Sequence, residues 1–138
     1  MTINEKQDEI LESFAMLEDW ADRYEYIIEM GKELELIDDS LKDDEHLIIG
    51  CQSRVWLAAE YDGEFLNLKA DSDAIITSGI IAMLLKILSH QTPKDILEAD
   101  LYFLRDLGLQ EHLSMTRSNG LKSMLEKIKD YARFYLDK

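Results

Sequence analysis

Cysteine is nearly absent from this 138-residue chain: Cys51 is the only one. No intrachain disulfide can form, which fits a reducing compartment. The only imidazoles are His46, His90 and His112, and neither CxxC nor HxxxH spacing occurs, so the sequence offers no recognisable metal site. There is one proline and there are six glycines, so no Pro- or Gly-rich linker divides the chain. Long hydrophobic runs are missing too. The longest, Ala74 to Leu88, is too short to span a bilayer and is interrupted by Thr77, Ser78 and Lys86. Met1 to Asp19 is polar and acidic with no apolar segment of the signal-peptide kind, so a soluble cytoplasmic protein is expected. Cations are scarce, 15 against 29 acids, for a net charge of −14. Residues 1–46 hold sixteen acids and four bases, a net of −12, which leaves −2 for the other 92. Nucleic acid and anionic membranes would be repelled by such a field, whereas a basic protein partner would not. No Gly-rich phosphate loop, GxSxG elbow or HExxH motif is present.

What remains is 46% hydrophobic and 32% charged, the profile of a globular chain, long enough for a single domain over 1–138. Thr2 and Glu5 have capping-box spacing, which predicts a helix from about Ile3 with Ile10, Leu11, Phe14 and Leu17 on one face. A second helix is predicted from about Asp19, with Trp20, Tyr24, Ile27 and Ile28 inward and Gly31 near its end. Leu34 to His46 is acidic and aperiodic and reads as an exposed loop. Leu47 to Ile49 reads as a short strand. Val55–Tyr61 and Glu64–Ala70 read as a hairpin turning at Asp62-Gly63. A two-residue turn would pair Tyr61 with Glu64, Ala59 with Leu66, Leu57 with Leu68 and Val55 with Ala70, putting one apolar face on the core. Asp71-Ser72-Asp73 would close the hairpin and cap a buried helix from about Ala74 to Ser89. Gly79 inside that helix suggests close packing against a neighbour. Thr92-Pro93 opens a short helix to Leu97, Tyr102–Leu107 a second ended by Gly108, and Asn119–Leu136 the last, with Leu121, Met124, Leu125, Ile128 and Ala132 inward. The fold class is α+β: a small antiparallel sheet, the hairpin plus a short strand, packed against several helices.

Chemistry concentrates in Gly50-Cys51-Gln52-Ser53-Arg54-Val55-Trp56. A lone cysteine is often a small buried hydrophobe. This one follows a glycine and precedes two small polar residues, at a bend between extended segments, which suits a reactive thiol. The residues alone leave both readings open. His46, five positions away, is a candidate base for it; a surface histidine is the plainer reading. Asp71-Ser72-Asp73 and Arg117-Ser118-Asn119-Gly120 are further polar clusters whose simplest roles are caps and turns.

In this order the segments resemble the SufE family: Trp20 to Tyr24 with Tyr26-Ile27-Ile28 and Gly31-Lys32, Gly50 to Ser53 with Val55-Trp56, Ala70 to Ala74, Gly79, Thr92-Pro93, Leu107-Gly108-Leu109, His112-Leu113-Ser114 and Arg117 to Leu121. The likeness covers about residues 14–132. It implies that Cys51 carries sulfur as a persulfide, taken from a SufS-like, pyridoxal-phosphate-dependent cysteine desulfurase that the protein stimulates. It implies delivery to a SufBCD-like iron–sulfur scaffold, with the pyridoxal phosphate held by the partner and no cofactor or metal in this chain. Such a protein is an accessory sulfur carrier rather than a stand-alone enzyme. Gly50, Gln52, Ser53, Arg54, Asp71, Asp73 and Arg117 would support the cysteine or face the partner. Arg54 stands where the family commonly has glutamine, and its charge could favour the thiolate or simply face solvent. A non-covalent activator or adaptor of a desulfurase, with an incidental cysteine, is the alternative.

Overall fold

The computed structural model describes residues 1–34, 36–48, 54–108 and 120–137. Helix α1 (Ile3–Ala15) opens with the expected capping box: the Thr2 hydroxyl accepts from the Glu5 N–H at 3.1 Å, and the Glu5 carboxylate accepts from the Thr2 N–H at 3.0 Å. Ile3, Gln7, Ile10 and Phe14, three or four residues apart, form its buried face. Helix α2 (Trp20–Lys32) is capped by the Asp19 carboxylate, which accepts from the Asp22 N–H. Its fully buried residues are Ile27 and Met30; Trp20, Tyr24 and Ile28 are only half-buried. The inward face is therefore turned from the expected stripe, because α2 packs backbone to backbone on helix α3 (Ile75–Leu88) along the Ile27–Gly31 side.

That contact explains Gly79. A Cβ there would run into the Ile27 backbone carbonyl, and one on Gly31 would lie 2.9 Å from the Gly79 nitrogen. Helix α3 is buried over most of its length, from Thr77 through Leu88 with few gaps.

Strands β1 (Val55–Tyr61) and β2 (Leu66–Ser72) pair antiparallel, but not in the register the Asp62-Gly63 turn predicts. Tyr61 pairs with Leu66 and Val55 with Ser72. The connection is four residues, because the Asp62 carboxylate accepts from both the Glu64 (3.0 Å) and Phe65 (2.7 Å) N–H groups and draws them into the loop. The shift is an even number of residues, so no side chain changes face. Val55, Leu57, Leu66, Leu68 and Ala70 remain on the core, as expected.

The short strand before the cysteine is a single antiparallel bridge, Leu47 to Trp56; Ile49, its expected last residue, lies outside the described residues. On the far edge Leu36 bridges Ala70 in parallel. The stretch from Leu34 to His46 is not a free loop. Leu34 and Ile37 are buried, and Asp39–Leu41 forms a 3-10 turn capped by Asp38. Helices α4 (Pro93–Glu98), capped by Thr92, and α5 (Phe103–Asp106) follow, with Gly108 after α5 at φ +67°. Helix α6 (Gly120–Tyr135) buries Leu121, Met124, Ile128 and Ala132, with Leu125 half-buried, close to the expected stripe. The architecture is α+β, with helices on the inner face of a two-stranded sheet.

Candidate functional site

Cys51, with Gly50, Gln52 and Ser53, lies outside the described residues, and so does Arg117. The structure instead defines the two stalks on either side of the cysteine. On the upstream side, the Leu57 N–H donates to the His46 carbonyl at 3.0 Å and the Ile48 N–H to the Val55 carbonyl at 2.8 Å. On the downstream side, Arg54 and Asp73 exchange two bonds just beyond the last strand pair. The Asp73 N–H donates to the Arg54 carbonyl (3.2 Å), and the Arg54 N–H to the Asp73 carboxylate (3.1 Å). Cys51 is three residues from Ile48 and three from Arg54. Chain connectivity alone keeps its Cα within about 11 Å of each.

Asp73 is thus a tie between hairpin end and cysteine stalk, not a helix cap. Helix α3 has no side-chain cap bond, and the Ser72 hydroxyl accepts from the Ala74 N–H instead. Asp71 is not a cap either. Its carboxylate is 2.6 Å from the Lys42 ammonium. Arg54 is exposed. Arg54, Asp71 and Asp73 therefore all stand at the open end of the hairpin.

The segment Leu36–Ile48 crosses this end like a strap. It starts on the edge of β2, where the Ile37 N–H donates to the Ala70 carbonyl, and finishes on the edge of β1 at Leu47 and Ile48. Trp56 and Asp71 are directly paired and share the outer face of the hairpin. The Lys42 side chain lies on that face, 2.6 Å from Asp71, 3.1 Å from Asp39 and 5.7 Å from the centre of the Trp56 ring. The hydrogen bonds to Asp71 and then Asp39 raise the Lys42 pKa, so the ammonium stays charged. Sequence reading missed Lys42. The available signal was its isolation as the single Lys or Arg among seven acids between Glu33 and His46.

His46 is committed elsewhere. Its Nδ1 lies 2.7 Å from the Asp43 carboxylate, whose pKa is lowered chiefly by that bond. Asp43, Glu45 and His46 could offer three ligand atoms within 4.8 Å of one another. Two are exposed carboxylates and the third already bonds the first, an arrangement common on acidic surfaces without any ion. Beside the upstream stalk a groove of about 350 Å³ runs between Leu47, Ile48 and the α6 residues Lys122, Ser123, Glu126, Lys127 and Asp130. Among the described residues no helix is long and apolar enough to cross a membrane.

Comparison with known proteins bears on this site. Residues 8–132 match the family model described as "SufE: Fe-S metabolism associated domain". An uncharacterized SufE-like protein of Rhizobium etli is 37% identical over 131 residues, covering 91% of this chain and 88% of its own. Another, from Rhizobium meliloti, is 39% identical over 130 residues, covering 91% of this chain and 93% of its own. The solution structure of a hypothetical protein from Thermus thermophilus superposes with a TM-score of 0.78, covering 96% of this chain and 97% of that one at 21% identity, a likeness of fold.

Proposed function

Since the chain belongs to the SufE family, whose domain is associated with iron–sulfur metabolism, we propose that it accepts sulfur on Cys51 from a cysteine desulfurase, stimulates that enzyme, and passes the sulfur to an iron–sulfur scaffold. The observation that carries this reading is the position of the chain's only thiol, three residues from each of two hydrogen-bonded stalks. Fixed stalks limit how far the thiol can reach, which suits a reactive group presented from a scaffold to a partner.

The chemistry is a thiol exchange. The Cys51 thiolate attacks the outer sulfur of the desulfurase persulfide, a new S–S bond forms on Cys51, and the old S–S bond breaks. The desulfurase thiolate is the leaving group, and no external oxidant or reductant is needed. Pyridoxal phosphate, which frees the sulfur from cysteine, belongs to the partner. The exposed apolar side chains Leu36 and Ile75, beside Ala70 and Asp73, give a partner something to bury at this end. Arg54→Gln separates two roles for the Arg54 charge: if it favours the thiolate, the alkylation pH–rate curve of Cys51 moves to higher pH, and if it only faces solvent, the curve is unchanged.

The test is Cys51→Ser with a desulfurase and cysteine. The variant folds and binds the desulfurase but does not accelerate its turnover. Stimulation by Cys51→Ser at the wild-type rate identifies a non-covalent activator instead.

A further inference from the structure

The acidic strap Leu36–Ile48 holds one feature that the thiol chemistry does not use. Both its ends are pinned by backbone bonds to the two edges of the hairpin, at Ala70 and at Val55 and Leu57. Between them it crosses the outer face carrying Asp38, Asp39, Asp43, Asp44 and Glu45, which repel one another and the nearby Asp71. The strap's one ammonium is the centre of that crossing. It has two carboxylates within 3.1 Å and an indole face beneath it, and its side chain retains 27% exposure. Four and six residues beyond Lys42, His46 and Ile48 make the two bonds of the upstream stalk.

We propose that Lys42 is a positioning residue for Cys51: bound to Asp71 over Trp56, it clamps the strap to the hairpin and so holds the upstream stalk, His46 to Ile48, on the edge of β1. This rests on Cys51 being the working thiol, but its test does not require sulfur transfer. Without the clamp, Asp39 and Asp71 lose the ammonium that lies between them. The bonds from Leu57 to His46 and from Ile48 to Val55, four and six residues beyond Lys42, then open more often, because they sit at a sheet edge. Asp71 is Lys42's partner and is expected to give the same phenotype when neutralised.

The experiment uses the full chain and four variants: Lys42→Met, which keeps the stem without the charge, Lys42→Arg, Asp71→Asn, and the Lys42→Met/Asp71→Asn double. Two rates are read below the melting range. One is alkylation of Cys51 by iodoacetamide, taken relative to the unfolded chain at the same pH; as the only thiol, it is read without ambiguity. The other is amide exchange at Ile48 and Leu57 against amides in the middle of α3. Lys42→Met and Asp71→Asn are expected to speed exchange at Ile48 and Leu57 about tenfold with α3 unchanged, and to raise Cys51 alkylation by about threefold or more. The double variant behaves as Lys42→Met, since Lys42→Met already removes the Asp71 contact together with those to Asp39 and Trp56, and Lys42→Arg stays near wild type. Three results overturn the proposal: alkylation and stalk exchange unchanged in both singles, a loss of protection that extends equally through α3, or Lys42→Arg behaving as Lys42→Met. Absence of sulfur on Cys51 in the transfer assay would overturn the carrier function while leaving these rates as predicted.

Discussion

The α2–α3 crossing and the open end of the hairpin are held together by different physics. At the crossing, Gly31 and Gly79 bring two backbones into contact among fully buried Ile27, Ile80, Ile81, Met83 and Leu84. Nothing there can move by a fraction of an ångström without collision. At the hairpin end, two exchanged bonds between Arg54 and Asp73, two edge bonds at Ile48 and Leu57, and the Lys42–Asp71 contact hold the stalks. Each polar tie contributes little and is reversible. The contrast places rigidity in the helices and adjustability in the ties that flank the thiol, which the proposed carrier, fitting two partners in turn, would require.

The largest effect should come from adding one methyl group at the crossing. Gly79→Ala forces a Cβ into the Ile27 carbonyl, a backbone atom that cannot swing aside. A loss on the order of 3 kcal/mol or more is expected by chemical denaturation. Alkylation of Cys51 in the fraction still folded should match wild type. A stable Gly79→Ala protein would mean that the crossing is looser than described and would remove one side of the comparison.

Next comes Asp73→Ala at the hairpin end. It removes the carboxylate that accepts the Arg54 N–H but leaves the Asp73 N–H to Arg54 carbonyl bond. Global stability should fall by about 1 kcal/mol or less, since the residue is exposed and one bond remains. Amide exchange at Arg54 should quicken clearly, while α3 amides keep their protection. An unaltered Arg54 amide would show that the second bond alone holds the stalk.

These two positions also show how far the sequence was readable. Gly79 in an apolar helix announced a close approach, and the capping box at Thr2 and Glu5, Thr92-Pro93 and the α6 stripe announced elements that the structure contains. Each is a local signal, written within one turn or one period. The ties at the site are not local. Arg54 and Asp73 are 19 residues apart, and Lys42 reaches Asp71 from another segment, so capping was the natural but incorrect reading of Asp71-Ser72-Asp73. Leu34 and Ile37 were hidden because single apolar anchors in an acidic stretch have no period. The hairpin register failed at one group. The Asp62 carboxylate competes for the turn's N–H groups, which residue-pair preference does not register.

The smallest effect concerns that carboxylate. Bonds from the Phe65 and then the Glu64 N–H hold the Asp62 pKa below the usual aspartate value of 3.8. A lowered carboxylate pKa stabilises the fold above the unfolded value, and that contribution is lost as pH falls through the folded one. Asp62→Ala should therefore flatten the acid limb of the stability curve below about pH 4, leave stalk exchange unchanged, and be read by melting temperature against pH. A change in Cys51 alkylation in this variant would couple the far turn to the thiol and contradict the independence of the two ends of the hairpin.

The central claim is that sulfur travels covalently on Cys51. Intact-mass measurement after incubation with a cysteine desulfurase, its pyridoxal phosphate and cysteine tests it most directly. A gain of about 32 Da, one sulfur on a thiol, is predicted for wild type, mapped to Cys51, removed by dithiothreitol, and absent from Cys51→Ser. An unmodified protein that still accelerates the desulfurase would contradict it.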